Sequence, residues 1–280
     1  MISGRLVGAI FADSPEVRIG SGASDAFAIA VGDGPIVATA IHDGHAVRPE
    51  VEALLAIDEA TRLREEDPFT GRIATAAPTS VVGLRSRFEV DLNRPRDKAV
   101  YRTPADAFGL AVWRGPLGDD VLARSLEGYD AFYRALERVL RERERRHGAF
   151  VVLDVHSYNH RRGGPGAPPD DAAQSPEINV GTGTVDRARW GPLVDRFCAD
   201  LRRVGRDGQP LDVRENVRFR GGAMSAWIHR TFPATGCALA LELKKTFMNE
   251  WTGELDGAHL DALGRAIAST FPGLVESLAP

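Results

Sequence analysis

Four short aliphatic runs, at 26–31 (AFAIAV), 36–41 (IVATAI), 149–155 (AFVVLDV) and 237–243 (CALALEL), most constrain what this chain can fold into. Each has the length and composition of a β-strand, and the first two are joined by the turn signal Gly32-Asp33-Gly34-Pro35. Helical patterns lie between the runs. Leu122, Leu126, Tyr129, Tyr133, Leu136 and Leu140 step by three and four residues, which puts them on one helix face ahead of the charged stretch RERERRHG. Leu193, Val194, Phe197, Leu201 and Val204 make a second stripe, and Leu260, Leu263 and Ile267 a third. Strands alternating with helices imply an α/β fold, a three-layer sandwich around a central mixed, largely parallel sheet. In such a fold, catalytic groups gather at strand ends.

The chain has 280 residues, 43% of them hydrophobic and 26% charged, which suffices for one large core. No repeat or linker divides it. The segment 163–169 (GGPGAPP) reads as a surface loop, so one catalytic domain over 1–280 is expected. Cys198 and Cys237 form neither a disulfide framework nor a cysteine-rich zinc module, so a metal would have to rely on histidine and carboxylate. The opening MISGRLVGAIFADSPE lacks an apolar leader, and no later stretch approaches the ~20 apolar residues of a membrane span. A cytoplasmic protein is expected. With 35 basic and 39 acidic residues, a net charge of −4 and a pI near 6.0, the chain is a poor partner for nucleic acid or an anionic membrane. A small-molecule partner fits better.

The run 36–41 leads directly into His42-Asp43-Gly44-His45, which delivers two imidazoles to a strand end, with Gly44 allowing a sharp turn. The run 149–155 ends at His156-Ser157-Tyr158, and strand alternation puts Asp154 on the face of His156, where it would orient that imidazole toward a metal. Glu242 interrupts an otherwise apolar strand. Its charge calls for a polar cleft, a cation, or a salt bridge to Lys244 or Arg94. Arg64-Glu65-Glu66-Asp67-Pro68 places three acids at the end of a helix expected from about Pro49, where negative charge opposes the helix dipole unless a cation offsets it. The segment 86–95 (SRFEVDLNRP) reads as a short amphipathic strand with arginines near both ends. Those arginines suit carboxylate recognition, and a plain Asp91–Arg94 pair explains them equally well. Segments 160–164 (HRRGG) and 218–222 (RFRGG) read as basic loops at a cleft rim, with Tyr158 and Glu250 as weaker site candidates.

Taken in order, the His42-x-Gly44 turn, the acidic stretch ending in Asp67, SRFEVDLNR at 86–94, LDVHSY at 153–158 and LELKKTFMNE at 241–250 span most of the chain. Together they resemble the N-formylglutamate amidohydrolase family, a branch of the zinc-carboxypeptidase-like hydrolases. The resemblance implies that fold and one zinc ion per chain. It makes His42 and His156 metal ligands, Asn93 and Arg94 receivers of a substrate carboxylate, and Glu242 the general base. Peptidases of the wider group carry a glutamate three residues after the first histidine, where this chain has His45. The third ligand is therefore open between Asp67, which matches an aspartate of the deformylase-like branch, Glu66 and His45. Arg87 is a candidate for oxyanion stabilisation and Tyr158 for substrate contact. The expected activity is metal-dependent hydrolysis of a small acidic amide, an N-formyl or N-acyl amino acid of the N-formylglutamate type. A metallocarboxypeptidase acting on short or cell-wall peptides would use the same Asn93–Arg94 pair, and a non-catalytic binding protein of this fold is the third reading. A homo-oligomer is compatible with all three.

Overall fold

A mixed eight-stranded sheet organises the chain in the computed structural model, which describes residues 17–19, 26–203 and 210–279. The opening stretch 1–16 and Val204 of the second stripe lie outside the described residues. The strands are β1 (Val17–Ile19), β2 (Phe27–Ala30), β3 (Ile36–Ala40), β4 (Thr79–Gly83), β5 (Phe150–Tyr158), β6 (Ile178–Gly181), β7 (Val213–Glu215) and β8 (Gly236–Lys244), in spatial order β1-β2-β4-β3-β5-β8-β6-β7. The helices are α1 (Pro49–Glu52), α2 (Glu59–Glu65), α3 (Thr70–Ala74), α4 (Asp119–His147), α5 (Arg187–Arg203), α6 (Ala223–Thr231), α7 (Gly257–Ala268) and α8 (Phe271–Leu278).

The central strands β4, β3, β5 and β8 run parallel, and antiparallel pairings join β1 to β2, β2 to β4, and β6 to β8. All four predicted runs are strands of this sheet. Those at β3, β5 and β8 are buried on both faces, which is why they lack a polar alternation. The Gly32–Pro35 turn does not close a hairpin, because β4 is inserted between β2 and β3.

Helices cover both faces, giving the expected three layers. On one face Tyr129, Phe132, Leu136 and Leu140 of α4 and Met224 and Ile228 of α6 pack on Val37, Phe150, Val152 and Ala238. On the other, Leu193, Val194, Phe197 and Leu201 of α5 and Leu260, Leu263 and Ile267 of α7 pack on Val151, Leu153, Leu239 and Leu241. The three helical stripes are therefore core faces at each of their described positions.

Two local expectations are corrected. The helix expected from about Pro49 is two helices, because the chain leaves the helix after Glu52, bridges Leu55 to Trp113, and restarts where the Asp58 carboxylate accepts from Thr61 N–H. The segment 86–95 is a succession of turns, not a strand. The carbonyl of Ser86 accepts from the N–H groups of both Glu89 and Val90, so the buried Phe88, Val90 and Leu92 reach the core from turns. Their apolar alternation recorded burial without a sheet.

One half-buried titratable group gives the fold a pH signature. His229, in the last turn of α6, accepts the N–H of Ala238 on Nε2 (2.9 Å) and contacts Thr184 Oγ1 through Nδ1 (2.8 Å), which holds it neutral. Burial pushes it down from 6.5 to about 4. A histidine with a depressed folded value stabilises fully above its unfolded value and loses that contribution as pH falls through the window from 6.5 to 4. Stability should drop between pH 7 and pH 5 by up to ~2 kcal/mol from this group. Urea denaturation at the two pH values is expected to show a smaller drop in His229→Gln, and an unchanged drop would remove His229 as its source.

Candidate metal centre

The parallel strands β4, β3, β5 and β8 direct their carboxyl ends to one side, where the chain emerging from each carries a charged or metal-ligating residue. His42 follows β3. Arg87 sits in the turns after β4, and His156 and Glu242 lie near the ends of β5 and β8, paired across the sheet in register. Alternation along β5 puts Asp154 and His156 on one face, as expected. Asp67 comes from the segment after α2, held there because its N–H donates to the carbonyl of His42 (2.9 Å).

His42, Asp67 and His156 are all buried, and one ligand atom from each lies within 4.8 Å of the others. The Asp67 Oδ2 is 3.3 Å from His42 Nδ1 and 2.9 Å from His156 Nδ1. Each imidazole turns its far nitrogen to a buried carboxylate: His42 Nε2 lies 2.7 Å from Asp91 Oδ1, and His156 Nε2 lies 3.1 Å from Asp154 Oδ2. Asp154 is itself fixed by the Thr39 hydroxyl (2.7 Å). Both rings thus turn Nδ1 to the shared Asp67 and have a carboxylate beyond Nε2, and a carboxylate in that outer position is the arrangement of imidazoles that hold a cation. The Nδ1 of His42 is buried without a hydrogen-bond partner, as a ligand atom awaiting a metal would be. The donor set therefore fits a divalent cation.

The electrostatics agree. Burial works against the charge of Asp67, but the adjacent His156 and His42 imidazoles outweigh it and hold the carboxyl below its usual range. Burial likewise opposes ionisation of Asp91, which Arg87 and His42 overcome; Arg87 Nη2 reaches Asp91 Oδ2 at 2.8 Å, and the Tyr101 hydroxyl donates to the same oxygen. Glu242 behaves differently. Burial pushes it up to about 7, with Asp67 and Asp154 adding to the rise and His156 and Arg87 opposing it. Among the described residues it makes no hydrogen bond or ion pair, and it faces a cleft of about 380 Å³.

Of the residues singled out for the site, His42, Asp67, Arg87, Asn93, Arg94, His156, Tyr158 and Glu242 line that cleft. Glu66 and His45 lie apart from the cluster. Although Glu66 is fully buried, its carboxylate is taken by His45 Nδ1 and the Ser86 hydroxyl. The alternative for Glu242, a salt bridge to Lys244 or Arg94, does not form; Arg94 instead lies 3.7 Å from Asp91, whose closer partner is Arg87. Tyr158 presents its ring, since its hydroxyl donates to the carbonyl of Pro176. Glu250 ties down the N–H groups of His160 and Arg161 and does not line this cleft. Two glycines allow close packing here. A Cβ on Gly44 would lie 2.2 Å from the carbonyl carbon of Leu84, so crowding requires glycine there in addition to any turn, and one on Gly222 would lie 2.2 Å from Asn93 Oδ1.

Arg162, Arg218 and Arg220 also line the cleft, so both basic loops do frame it. Lys245 was missed by the sequence reading. Buried beside the cluster, it donates to the carbonyls of Arg64 (2.6 Å) and Glu66 (2.7 Å), bracing the acidic segment, and burial lowers its pKa. Its position next to a strand-end glutamate was the available signal.

Fold and site together define an α/β protein whose parallel strands end at a buried His–Asp–His cluster able to hold a metal ion. The family model for N-formylglutamate amidohydrolase matches residues 34–248. The chain belongs to that family. Its backbone superposes on the crystal structure of an N-formylglutamate amidohydrolase from Ralstonia eutropha with a TM-score of 0.71 at 19% identity, covering 90% of this chain and 98% of that one. A gene product from Agrobacterium tumefaciens gives a TM-score of 0.62 at 15% identity, covering 92% and 99%. A search of curated proteins found no match. Among the described residues no helix is long and apolar enough to cross a membrane.

Proposed function

We propose that the protein hydrolyses the amide bond of an N-formyl or N-acyl amino acid of the N-formylglutamate type, with one zinc ion held by His42, Asp67 and His156. The observation that carries this reading is the unpaired, buried Nδ1 of His42 facing Asp67 and His156, with the unpaired Glu242 beside His156 across the sheet. Two imidazoles and one carboxylate leave a fourth position free, as catalytic zinc sites do. His42, Asp67 and His156 would hold the ion, which when bound would acidify a water to a pKa of about 7 and polarise the substrate carbonyl.

The chain's own groups do the rest. Glu242 takes the proton of the attacking water and returns it to the leaving nitrogen, a role that suits a carboxylate held near neutrality. Arg87, kept charged because Asp91 outweighs the effect of burial, donates to the oxygen that gains negative charge. Asn93 is pinned by Met224 N–H on Oδ1 (3.1 Å), and with Arg94 it receives the substrate carboxylate. Arg162, Arg218 and Arg220 add positive charge to the same cleft.

Purified protein should contain roughly one zinc per chain and turn over N-formylglutamate faster than N-formylleucine. Protein that binds no divalent metal, or that hydrolyses neither compound when zinc is supplied, would end this reading. Arg94→Ala is expected to raise KM for the acidic substrate by about tenfold or more with kcat little changed, the pattern of lost ground-state binding. An unaltered KM would remove Arg94 from substrate recognition.

A further inference from the structure

Two residues that line the cleft each carry an oxygen with no donor among the described residues. Asn159 follows directly on β5, is 4% exposed, and lines the cleft. Its Nδ2 donates to the carbonyl of Arg64 (2.9 Å) and to Glu65 Oε1 (3.3 Å). Both partners are acceptors, so the amide has only one sensible orientation, and Oδ1 is left buried and unpaired. An acceptor held in this way carries a desolvation penalty that a ligand donor would relieve.

Glu65 lines the same wall. Its Oε1 meets Asn159 and, at 3.3 Å, Arg64 Nε, while Oε2 has no hydrogen bond or ion pair among the described residues. Among the neighbouring cations, Arg64 pairs with the Glu65 carboxylate at Oε1 and leaves Oε2 open. Lys245 donates to two carbonyls; Arg87 serves Asp91 and Tyr101 and reaches only the main-chain oxygen of Glu65 (3.4 Å); Arg64 lies over the Trp251 ring at 4.3 Å. Glu65 and Asn159 are therefore in contact, each keeps one oxygen without a donor, and both line a cleft that also carries Arg94, Arg162, Arg218 and Arg220.

We infer that Glu65 and Asn159 form a subsite for an ammonium group, and that the substrate class is a zwitterionic aminoacyl amino acid. The inference rests on the hydrolase reading for its orientation: with the carboxylate of the amine portion at Asn93 and Arg94, the ammonium belongs to the acyl portion. Water adds across the C–N bond, the acyl carbon leaves as a carboxylate, and the nitrogen leaves as an amine carrying the transferred proton. The ammonium takes no part in bond breaking. It positions the acyl group through a charge-assisted hydrogen bond to Glu65 and a neutral one to Asn159.

Glycyl-glutamate and propionyl-glutamate have nearly the same size and differ by an ammonium in place of a methyl. Calorimetric titration of both into zinc-loaded Glu242→Gln protein is expected to show glycyl-glutamate bound at least about tenfold more tightly. In the double variant Glu65→Gln/Glu242→Gln the two affinities should converge. Equal affinities in Glu242→Gln, a preference that survives Glu65→Gln, or binding of neither compound would overturn the subsite. The first comparison leaves the subsite unaltered, so poor folding of the double variant cannot rescue or sink it. Hydrolysis by the unsubstituted protein is followed separately, and failure to turn over any acylated glutamate would defeat the hydrolase reading while the binding preference still judges the subsite.

Discussion

Replacing His156 by alanine is expected to lower amide hydrolysis by roughly four orders of magnitude or more and to remove tightly bound zinc. The imidazole lies 2.9 Å from Asp67 through Nδ1 and 3.1 Å from Asp154 through Nε2, so its loss breaks the cluster and strands a buried carboxylate behind it. Only His42 and Asp67 would remain as ligands. Metal content by atomic emission and kcat with N-formylglutamate measure the two effects, with circular dichroism to check that the sheet is intact. Because removal of His156 also opens a cavity in β5, His42→Ala provides a second arm at a residue outside any strand. Full activity and full zinc content in both variants would reject the site.

Glu242→Gln tests the proton relay with less structural disturbance, since the side chain has no hydrogen bond or ion pair to lose. Removing a general base typically costs ~10²–10⁴ in rate, and kcat is expected to fall within that range while zinc content stays near its original value. The pH profile adds a second signature. A base must be deprotonated to act, so kcat/KM should rise with pH through the value for Glu242, which burial raises to about 7 and which the charge of a bound cation would lower. The acid limb is therefore expected at or below pH 7 and should be absent from Glu242→Gln. A variant that keeps wild-type kcat, or keeps the same acid limb, would assign the base elsewhere.

Much of this architecture was legible because β-strand burial leaves a one-dimensional trace. Residues 149–155 and 237–243 are aliphatic on both faces since helices cover both, and the ionisable residues that end them stood out against that background. The four-residue and three-residue steps of α4 likewise followed from its packing on Phe150 and Val152. Other features left no such trace. Strand β4 is short and its sequence, TSVVG, is half polar, because Thr79 and Ser80 are buried by neighbours rather than by their own hydrophobicity. The alternation in 86–95 suggested a strand, but the turns bury Phe88 through Leu92 without a break, so it marked no single inward face.

Site assignments divide in the same way. Asp154 could be placed behind His156 from strand periodicity alone, since both residues belong to one strand. Asp91 could not be placed behind His42, because that contact spans two loops and depends on how the turns after β4 fold back. Among Asp67, Glu66 and His45, adjacent acids look alike in sequence. The chain direction after α2 separates them, turning Asp67 toward the histidines and Glu66 toward His45 and Ser86.

By itself, the sequence determined three of the four strands in the parallel centre, which helix faces are buried, and which polar residues end those three strands, because periodicity and burial are local properties of the chain. Only the tertiary structure decided that His42, Asp67 and His156 share a point in space, that Glu66 does not, and that Glu65 and Asn159, each with an oxygen lacking a donor, line the same cleft. Those outcomes depend on distances between segments far apart in the chain, set by strand order and loop closure.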